Sequence, residues 1–267
     1  MKKSILLSAA VMFAAGTAMA QSNVSTVSQS GDSHLADVLQ LGSTNSSTVT
    51  QSDFANWAFV TQVGSTNYSA ITQVNNSQIN TAEVYQEGDG NYSTQDQSNG
   101  SLANNALTVQ LGNDNTGVQV QSNTSVFNNA YIYQSGDGNV AQQLQDQVSG
   151  YNIAEIEQFG SDNTAQQWQG LSSADNTAYA MQSGTGNTSV QIQDEALGLF
   201  GYNYAEVMQY GSYNDGTQLQ SGAADVSAIL YQSGTMNMSL QEQTGTFHQS
   251  SVRQIGSFNE ATVVQGN

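Results

Sequence analysis

The sequence contains no cysteine and no proline, and it has only three basic residues against 21 acidic ones. The lack of cysteine excludes disulfides, so an exported fold of this chain must be stabilised by another device. The formal net charge of −18 argues against nucleic acid, because binding to phosphates needs Lys and Arg to displace counterions. It argues equally against an anionic membrane surface. Neither nucleic acid nor a membrane is therefore expected as a partner.

The chain opens with two lysines and a short apolar run that ends in Ala-Met-Ala at residues 18–20. A basic start, an apolar middle and a small-x-small end predict a secretory signal peptide over residues 1–20. The run is short for a membrane span and no other apolar run follows it, so no membrane insertion is expected after cleavage. The predicted mature chain, residues 21–267, keeps Arg253 as its only Lys or Arg.

Apolar residues make up 37% of the chain, and the polar remainder is mostly Gln, Asn, Ser, Thr and Gly. Such a bias is typical of disorder or of an aggregation-prone polar tract, and the periodicity distinguishes the two. The skeleton Gln-x-Gly-x-x-Asn-x-x-x-x-x-Gln occurs in ten complete copies, spaced by 22 to 27 residues and preceded by a half copy over residues 23–29. The successive copies are Gln40, Gly42, Asn45, Gln51; Gln62, Gly64, Asn67, Gln73; Gln86, Gly88, Asn91, Gln97; Gln110, Gly112, Asn115, Gln121; Gln134, Gly136, Asn139, Gln145; Gln158, Gly160, Asn163, Gln169; Gln182, Gly184, Asn187, Gln193; Gln209, Gly211, Asn214, Gln220; Gln232, Gly234, Asn237, Gln243; and Gln254, Gly256, Asn259, Gln265.

Each copy consists of two seven-residue arcs, one that ends at the leading Gln and one that starts at the motif Asn. The constrained positions alternate within each arc, and this period of two predicts a β-strand. Four residues always separate the arcs, with Gly second, and glycine supplies positive φ at no steric cost, so a tight turn is expected there. The return to the next copy spans four to nine residues, which indicates a more tolerant edge.

The alternating positions form columns of similar residues from copy to copy. Four residues before the leading Gln stands Ala in nine copies, and two residues after the motif Asn stands Ala, Ser or Gly in all ten. A lone buried amide costs several kcal/mol, whereas an amide stacked about 4.8 Å from an identical one can donate to one neighbour and accept from the other. We therefore predict Gln and Asn ladders around a narrow seam. A further inward column holds Gln95, Gln119, Gln143, Gln167, Gln191, Gln218 and Gln241.

One outward column tests this stacking. Three residues before the leading Gln, acids stand at Asp37, Glu83, Glu155 and Glu206, never in adjacent copies. In-register stacking would place adjacent like charges about 5 Å apart, which is destabilising. The fold predicted is thus an all-β solenoid of about ten two-strand rungs, strand-turn-strand, stacked in register like a cross-β structure over about 50 Å. One copy alone should be unstable.

The signal peptide, the period and the motif Gln-x-Gly-x-x-Asn-x-Ala/Ser-x-x-x-Gln together resemble the curlin repeat, from Asn23 to Gln265. Curlins are secreted subunits of curli, the functional amyloid fibres (fimbriae) of bacterial surfaces and biofilm matrix, with roles in adhesion. The resemblance implies a β-solenoid that polymerises end to end outside the cell. It also implies a nucleator subunit and outer-membrane export machinery as partners, and it assigns the ladder roles to the Gln, Gly and Asn positions given above.

The chain departs from the family pattern in three ways. The first arc commonly opens with Ser in curlins, whereas Asn dominates here. The Gly-rich export segment typical of the major subunit is missing, because the half copy starts at Asn23, close to the predicted cleavage site. The number of repeats is about twice the usual one. These departures leave open how the chain is recognised for export and whether it is a major subunit or a nucleator.

Open strand edges are the feature from which fibre formation is predicted. Many proteins block such edges with Pro, Lys or caps, but this chain has no Pro and no capping repeats. A head-to-tail contact that does not close makes a filament, so we expect homopolymers built by templated strand addition. The half copy and the last strand are both second arcs, so a simple join leaves one arc position empty unless the arcs can exchange places.

Other function classes fit the residues less well. A monomeric extracellular solenoid, ice-binding or of adhesin type, is the alternative, but an ice-binding surface needs a regular outward array of Thr, and these columns mix Glu, Tyr, Phe, Leu and Thr. No constellation breaks the repeat, so no enzyme, cofactor or metal site is predicted. Residues 88–91 and 136–139 offer oxygen ligands for calcium. The sequence lacks the nonapeptide of calcium-binding β-rolls, so a calcium site is not expected there.

Two histidines and a set of aromatics complete the sequence predictions. His34 and His248 occupy the Asn column of the first arc, where they are interpreted as polar substitutes for Asn. The acids near turns fit ordinary turn chemistry and also a role in delaying collapse. The outward aromatics form either a binding surface or simply reflect strand propensity. They are Trp57, Tyr85, Tyr131, Tyr133 and Trp168.

Overall fold

The computed structural model describes residues 22–146, 150–170, 175–194 and 202–266. The predicted signal peptide, residues 1–20, lies outside these ranges. The described residues form 21 β-strands, all arranged in two parallel sheets of eleven and ten strands. No helix long and apolar enough to cross a bilayer is present among them.

The two sheets are filled alternately as the chain winds. The eleven-stranded sheet consists of β1 (Val24–Asp32), β3 (Ser46–Phe54), β5 (Tyr68–Gln73), β7 (Tyr92–Asp96), β9 (Thr116–Gln121), β11 (Val140–Gln145), β13 (Thr164–Gly170), β15 (Thr188–Asp194), β17 (Asp215–Ala224), β19 (Met238–Thr246) and β21 (Glu260–Gly266). The ten-stranded sheet consists of β2 (Leu35–Ser43), β4 (Trp57–Ser65), β6 (Thr81–Asp89), β8 (Asn105–Leu111), β10 (Asn129–Asp137), β12 (Ile153–Ser161), β14 (Thr177–Thr185), β16 (Tyr204–Ser212), β18 (Ser227–Thr235) and β20 (Gln249–Ser257). Each strand pairs with the strand two places along the chain, which confirms the predicted all-β solenoid.

Pairing between strands is in register from copy to copy. In β10 and β12, for example, Ala130 is opposite Ala154 and Gln134 is opposite Gln158. Asp37, Glu83, Glu155 and Glu206 lie in one outward column, and no two of them are on neighbouring strands, as in-register stacking requires. The register shifts between Ser221 and Ala224, near the end of β17. One sequence copy therefore corresponds to one rung.

Burial alternates with a period of two along the strands that other rungs cover, whereas β1 is exposed throughout. In β12 the buried positions are Ala154, Ile156 and Gln158, and the residues between them are partly exposed. The small residues bring the two sheets close together, while the aliphatic side chains form three separate clusters along the stack. Most other large buried side chains are glutamines. The interior is thus a narrow polar and aliphatic seam rather than one continuous apolar core.

Two residues with positive φ shape each of the ten predicted Gly turns. The second turn residue is the motif glycine, as at Gly88 with φ of 116°. A Cβ atom on Gly88 would collide with the carbonyl oxygen of Gly112 in the next rung, so both conformation and stacking require glycine. The residue before the motif Asn also has a positive φ. At this position stand Thr66 and Tyr213, for example, although β-branched and bulky residues rarely adopt the left-handed region. This second position was not predicted.

The return side carries a short ladder of its own. Isolated parallel bridges join Phe54, Gln78, Leu102, Val126 and Gly150 in succession. Buried serines lie in the same returns, and the side chain of an inward Asn donates to the serine hydroxyl one rung further along. Asn80 donates to Ser101 at 2.9 Å, and Asn104 donates to Ser125 at 2.7 Å. The returns at residues 74–79, 98–103 and 122–127 are therefore stacked parts of the solenoid.

Candidate functional site

The leading glutamines of the ten copies form an unbroken ladder along the ten-stranded sheet. The Nε2 of Gln86 donates to Oε1 of Gln110 at 2.8 Å, and Gln110 donates in the same way to Gln134 at 2.8 Å. The same bond joins every pair of successive leading glutamines, from Gln40 to Gln254. Their second N–H donates to a backbone carbonyl of the facing sheet, such as Tyr92. Each interior amide is thereby hydrogen-bonded on both its nitrogen and its oxygen.

A second ladder runs through the trailing glutamines of the eleven-stranded sheet. Gln121 donates to Gln145 at 2.8 Å and Gln145 donates to Gln169 at 2.9 Å. This ladder begins in the half copy, at Gln29, and ends at Gln265. In both ladders the amide nitrogen points towards the C-terminal end of the stack. The ladders therefore have a polarity, with acceptors at one end of the solenoid and donors at the other.

The middle ladder starts and stops inside the stack. Gln143 donates to Gln167 at 3.0 Å, and equivalent bonds connect all seven inward glutamines of this column. Gln241 ends the ladder by donating to the hydroxyl of Ser250 at 3.0 Å. At its start, Oε1 of Gln95 is buried without a hydrogen-bond partner, because Ile71 occupies the same position in the rung before it. An orphaned acceptor of this kind costs about 1–3 kcal/mol.

The motif Asn connects each Gly turn to the next. Oδ1 of Asn91 accepts from the backbone N–H of Asn115 at 3.1 Å, and its Nδ2 donates to the carbonyl of Gly112 at 2.7 Å. The positive φ of the glycine turns this carbonyl away from the strand ladder, and the asparagine side chain satisfies it. Asn and Gly are therefore parts of one hydrogen-bonding unit, which explains why they occur together in every copy.

The two histidines stand where the first arc otherwise has Asn. Nδ1 of His34 accepts from the backbone N–H of Asn56 at 3.3 Å, which is the bond that Asn56 itself accepts from Asn80 at 3.0 Å. His248 lies in the last rung of this column, and its Nε2 is buried without a partner. His34 thus makes the same hydrogen bond as the asparagine that it replaces.

Several turn acids accept hydrogen bonds from a neighbouring rung. Oδ1 of Asp89 accepts from both the hydroxyl and the backbone N–H of Ser65, and these two bonds lower the pKa of the Asp89 carboxyl. Asp137 accepts from the backbone N–H of Asn113 at 2.9 Å in the same manner. This is the turn chemistry expected of Asp. Among the described residues no group of three or more His, Asp or Glu side chains is placed to hold a metal ion.

The outward aromatics lie on both sheets and do not form one surface. Trp57 is half exposed in β4, while Trp168 lies on the opposite sheet in β13. Other rings stack along the columns, such as Tyr68 on Tyr92 with ring centroids 4.9 Å apart. The single arginine of the described chain lies over the ring of the tyrosine one rung before it, 5.6 Å from its centroid. These contacts add column stacking to the exterior of the sheets.

Glu155 on β12 is a partly buried carboxyl group of the exterior, with Glu157 two residues along the same strand. Burial raises the pKa of Glu155, and the charge of Glu157 two residues along the strand raises it further. Burial also raises the pKa of Tyr179, whose hydroxyl donates to Glu157 at 2.9 Å. Tyr131, on the other side of Glu155, has a raised pKa for the same reason, burial, with contributions from both glutamates. The ionised form of the Glu155 carboxyl is thus disfavoured where it lies between Tyr131 and Tyr179.

At each end of the solenoid, two strands have one edge without a neighbouring strand. β1 and β2 each have one neighbour at the N-terminal end, and β20 and β21 each have one at the C-terminal end. β1 is exposed along its whole length, so the inward Val27 is 46% accessible where its neighbour Val49 is 0%. The end strands therefore present unpaired backbone groups together with the same small, aliphatic and amide columns that are buried inside.

Comparison with known proteins gives one family and no curated relative. Residues 22–52 match the family model described as the curlin associated repeat. No curated protein matches the chain. The matched segment covers β1, β2 and most of β3, which carry the Gln-x-Gly-x-x-Asn motif from Gln40 to Gln51. This motif recurs in register in the nine copies that follow. The resemblance to curlins is thereby confirmed: the chain carries a curlin-associated repeat within a parallel β-solenoid.

Proposed function

We propose that the chain is a secreted structural subunit of curli-like functional amyloid fibres on the bacterial surface and in the biofilm matrix. In this function it polymerises end to end by templated addition of β-strands and contributes to adhesion and biofilm formation. The observation that carries the proposal is the pair of open ends. The strands there have one neighbour each, and their inward columns continue those of the interior.

The polarity of the glutamine ladders supports a head-to-tail contact. At the N-terminal end, the amides of Gln29 and Gln40 donate inward to the second rung of the stack, which leaves their Oε1 atoms facing out. At the C-terminal end, Gln254 and Gln265 accept from the rung before them, and their amide nitrogens face out. An incoming molecule can therefore extend both ladders only with its N-terminal end on the C-terminal end of the last subunit. Repetition of this contact makes a filament.

Assembly of the purified mature chain tests the proposal. Residues 21–267 at neutral pH should grow thioflavin-positive fibres after a lag, and preformed fibres should shorten that lag. Fibre diffraction should show a reflection at about 4.7–4.8 Å along the axis. A chain that stays monomeric with the same strand content would contradict the proposal and favour the monomeric solenoid. Loss of surface fibres in a deletion strain of the source bacterium would support the cell-surface role.

A charged end provides a sharper version of this test. Val263 lies in the inward column of the last strand and remains partly accessible because no rung covers it. Val263→Lys places an ammonium group where the next molecule must stack, so elongation should be strongly slowed while the solenoid itself keeps its strand signal. Val264→Lys, the outward neighbour on the same strand, is the matched control and should elongate at nearly the original rate.

A further inference from the structure

The number of strands creates a problem for any simple stacking of molecules. The first and last strands, β1 and β21, both belong to the eleven-stranded sheet, whereas the other sheet has ten strands. A second copy added without rotation would place its β1 on β21. Its β2 would then lie two strand spacings from β20, about 9.6 Å instead of 4.8 Å. Every junction would leave one strand position empty.

A half-turn about the solenoid axis fills this position. It exchanges the two sheets and also reverses the strand direction, so all strands stay parallel. The β1 strand of the incoming copy then pairs with β20, and its β2 pairs with β21. The fit requires that the two arcs of an end rung be interchangeable, and the turns and the inward residues of the end rungs meet this requirement.

The turns are alike on both sides only near the ends of the stack. The turn between β1 and β2 has four residues with Gly31 second, and so does the turn between β20 and β21 with Gly256. Between β19 and β20 the return has the same length, with Gly245 second, whereas the returns from β5 to β18 have five to nine residues. A half-turn therefore stacks four-residue turns on four-residue turns.

The inward residues match column by column in the rotated junction. β20 carries Ser250, Val252 and Gln254, and β1 carries Ser25, Val27 and Gln29 at the same positions. Ser250 of β20 stands at a position where the other nine copies have alanine. The half-turn pairs Ser250 with Ser25 of the next molecule. Serine thus meets serine, valine meets valine and glutamine meets glutamine.

The second strand pair of the junction shows the same agreement. β21 carries Ala261, Val263 and Gln265, and the strand that would pair with it, β2, carries alanine, valine and glutamine in the same order. Without rotation, Ala261 would meet Ser25 instead. In the seven middle copies, by contrast, the second arc carries Gln where the end rungs have Val or Ile, so the two arcs are equivalent only in the rungs near the ends of the stack.

Hydrogen bonds of the interior would continue across this junction. In each interior rung the motif Asn donates to the carbonyl of the glycine in the next Gly turn, as Asn237 does to Gly256 at 2.9 Å. Asn259, the last motif Asn, would donate in the same way to the carbonyl of Gly31 of the next molecule. His248 is the last member of its column, on β20. It would accept a hydrogen bond from the backbone N–H of Asn23 of the next molecule, as His34 accepts one from Asn56 at 3.3 Å.

We propose that successive molecules of this chain stack with a half-turn about the fibre axis, β1 pairing with β20 and β2 with β21 of the preceding copy. The proposal rests on the proposed function, because it specifies the contact by which the fibre grows. The occupant of each end face is a second copy of the same chain. The odd number of strands then becomes the reason for the half-turn, since it makes the incoming first strand complete the shorter sheet.

Cysteine cross-linking distinguishes the two junctions, because the described chain has no cysteine of its own. Thr26, Ser251 and Thr262 all face outward and are exposed. In the rotated junction Thr26 lies opposite Ser251 of the neighbour, and in the unrotated one it lies opposite Thr262. Adjacent strands bring such positions to about 5 Å between Cα atoms, within disulfide range. Within one molecule the paired positions lie at opposite ends of the stack, so only molecules in contact can be joined.

Two double variants should therefore behave differently. Each is assembled under reducing conditions and the finished fibres are then oxidised. We expect Thr26→Cys with Ser251→Cys to give a ladder of covalent multimers that is lost on reduction, and Thr26→Cys with Thr262→Cys to remain monomeric on a denaturing gel. The opposite result, or fibres in which neither pair cross-links, would overturn the half-turn and leave the proposed function standing. Absence of fibres from the unmodified chain would instead contradict the proposed function.

Fibre symmetry gives a second readout that needs no substitution. Image reconstruction of fibres of the unmodified chain should show a two-fold screw relation between successive subunits, apart from the twist of the sheets. The axial step should be about 50 Å. The 21 strands are shared between two sheets, so each molecule extends each sheet by an average of half that number of strand spacings, of about 4.8 Å each. Subunits related by translation and twist alone, with a missing strand at each junction, would contradict the proposal.

Discussion

At the scale of single residues, a buried glutamine is acceptable here only because an identical one lies in the next rung. An isolated amide would lose its hydrogen bonds to water without replacement, whereas Gln143 donates to Gln167 at 3.0 Å and to the carbonyl of Tyr131 at 2.8 Å. The sequence alone predicts these columns, since their spacing is constant. It does not predict the orphaned oxygen of Gln95, which depends on where the ladder begins.

Replacing ladder glutamines by glutamate tests whether this hydrogen bonding limits assembly. Gln143→Glu with Gln167→Glu buries two carboxylates on adjacent rungs, where neither can donate to the other at neutral pH. Burying a carboxylate without a partner costs several kcal/mol per charge, so fibre growth at pH 7 should slow at least tenfold. Acidification should partly restore growth, because a protonated carboxyl can donate again. Thioflavin kinetics at two pH values measure both effects.

The control for this experiment lies one residue away on the same strands. Gln142 and Gln166 are exposed and face outward, so Gln142→Glu with Gln166→Glu adds the same two charges on adjacent rungs in water. Growth should fall only slightly, since exposed like charges are screened. Equal slowing by both double variants would mean that charge, and not ladder hydrogen bonding, controls growth.

Carboxyl burial on the exterior gives the stack a pH dependence. Burial raises the pKa of Glu155, Asp194 and Asp215, so the fold binds protons more tightly than the unfolded chain at these groups. Stability should therefore rise as the pH falls from neutral towards about 4, the ordinary carboxyl range. The lowered pKa of Asp89 acts in the opposite sense, and its contribution is lost only in stronger acid. The net charge of −18 adds repulsion that acid also relieves.

Thermal unfolding followed by circular dichroism at pH 7 and pH 5 checks this sign. The melting temperature should be higher at pH 5, and Glu155→Gln should reduce the difference by raising the value at pH 7. Glu83→Gln removes an exposed charge from the same outward column and serves as the control for net charge. A lower melting temperature at pH 5 would show that hydrogen-bonded turn carboxylates outweigh the buried ones.

At the scale of elements, strands and turns differ in how well the sequence predicts them. Strands follow from the alternation of the columns, and the first positive φ of each turn follows from an invariant glycine. The second left-handed residue escapes prediction because its type varies freely, as Thr66, Tyr213 and Phe258 illustrate. A non-glycine residue there costs about 1–2 kcal/mol, so the stacking of whole turns must impose it. The bridges between return segments such as Gln78 and Leu102 likewise depend on neighbours.

The glycine of the turn can be tested against another left-handed glycine. Gly88→Ala introduces a Cβ that collides with the carbonyl oxygen of Gly112, while Gly100→Ala meets Thr124 at an ordinary 3.5 Å. Both substitutions carry the strain of positive φ, with φ of 116° at Gly88 and 86° at Gly100, so we expect the collision to supply most of the difference between them. The melting temperature should fall clearly further in Gly88→Ala, because backbone of the next rung cannot move without breaking the ladder. Similar losses in both variants would assign the effect to φ.

At the scale of the whole molecule, the fold is a one-dimensional stack in which each rung contacts mainly its two neighbours. Stability is then close to a sum of rung and interface contributions, and rungs are exchangeable as long as the register is kept. The sequence predicts this architecture through its period. It also predicts that the first and last strands share one sheet, because the half copy and the last strand are both second arcs, and the strand order confirms this.

Removal of one rung tests this exchangeability. Deleting residues 136–159 removes one period of 24 residues and joins Ser135 to Gly160, so the turn regains its glycine and its four residues. The shortened chain should keep its strand signal, melt only a few degrees lower and still assemble, with an axial step shorter by about 4.8 Å. Deleting residues 136–160 removes one residue more and leaves a three-residue turn without glycine. Because the Gly turn has four residues in all ten copies, the second chain cannot stack its two halves in one register and should lose much of its strand signal and its assembly.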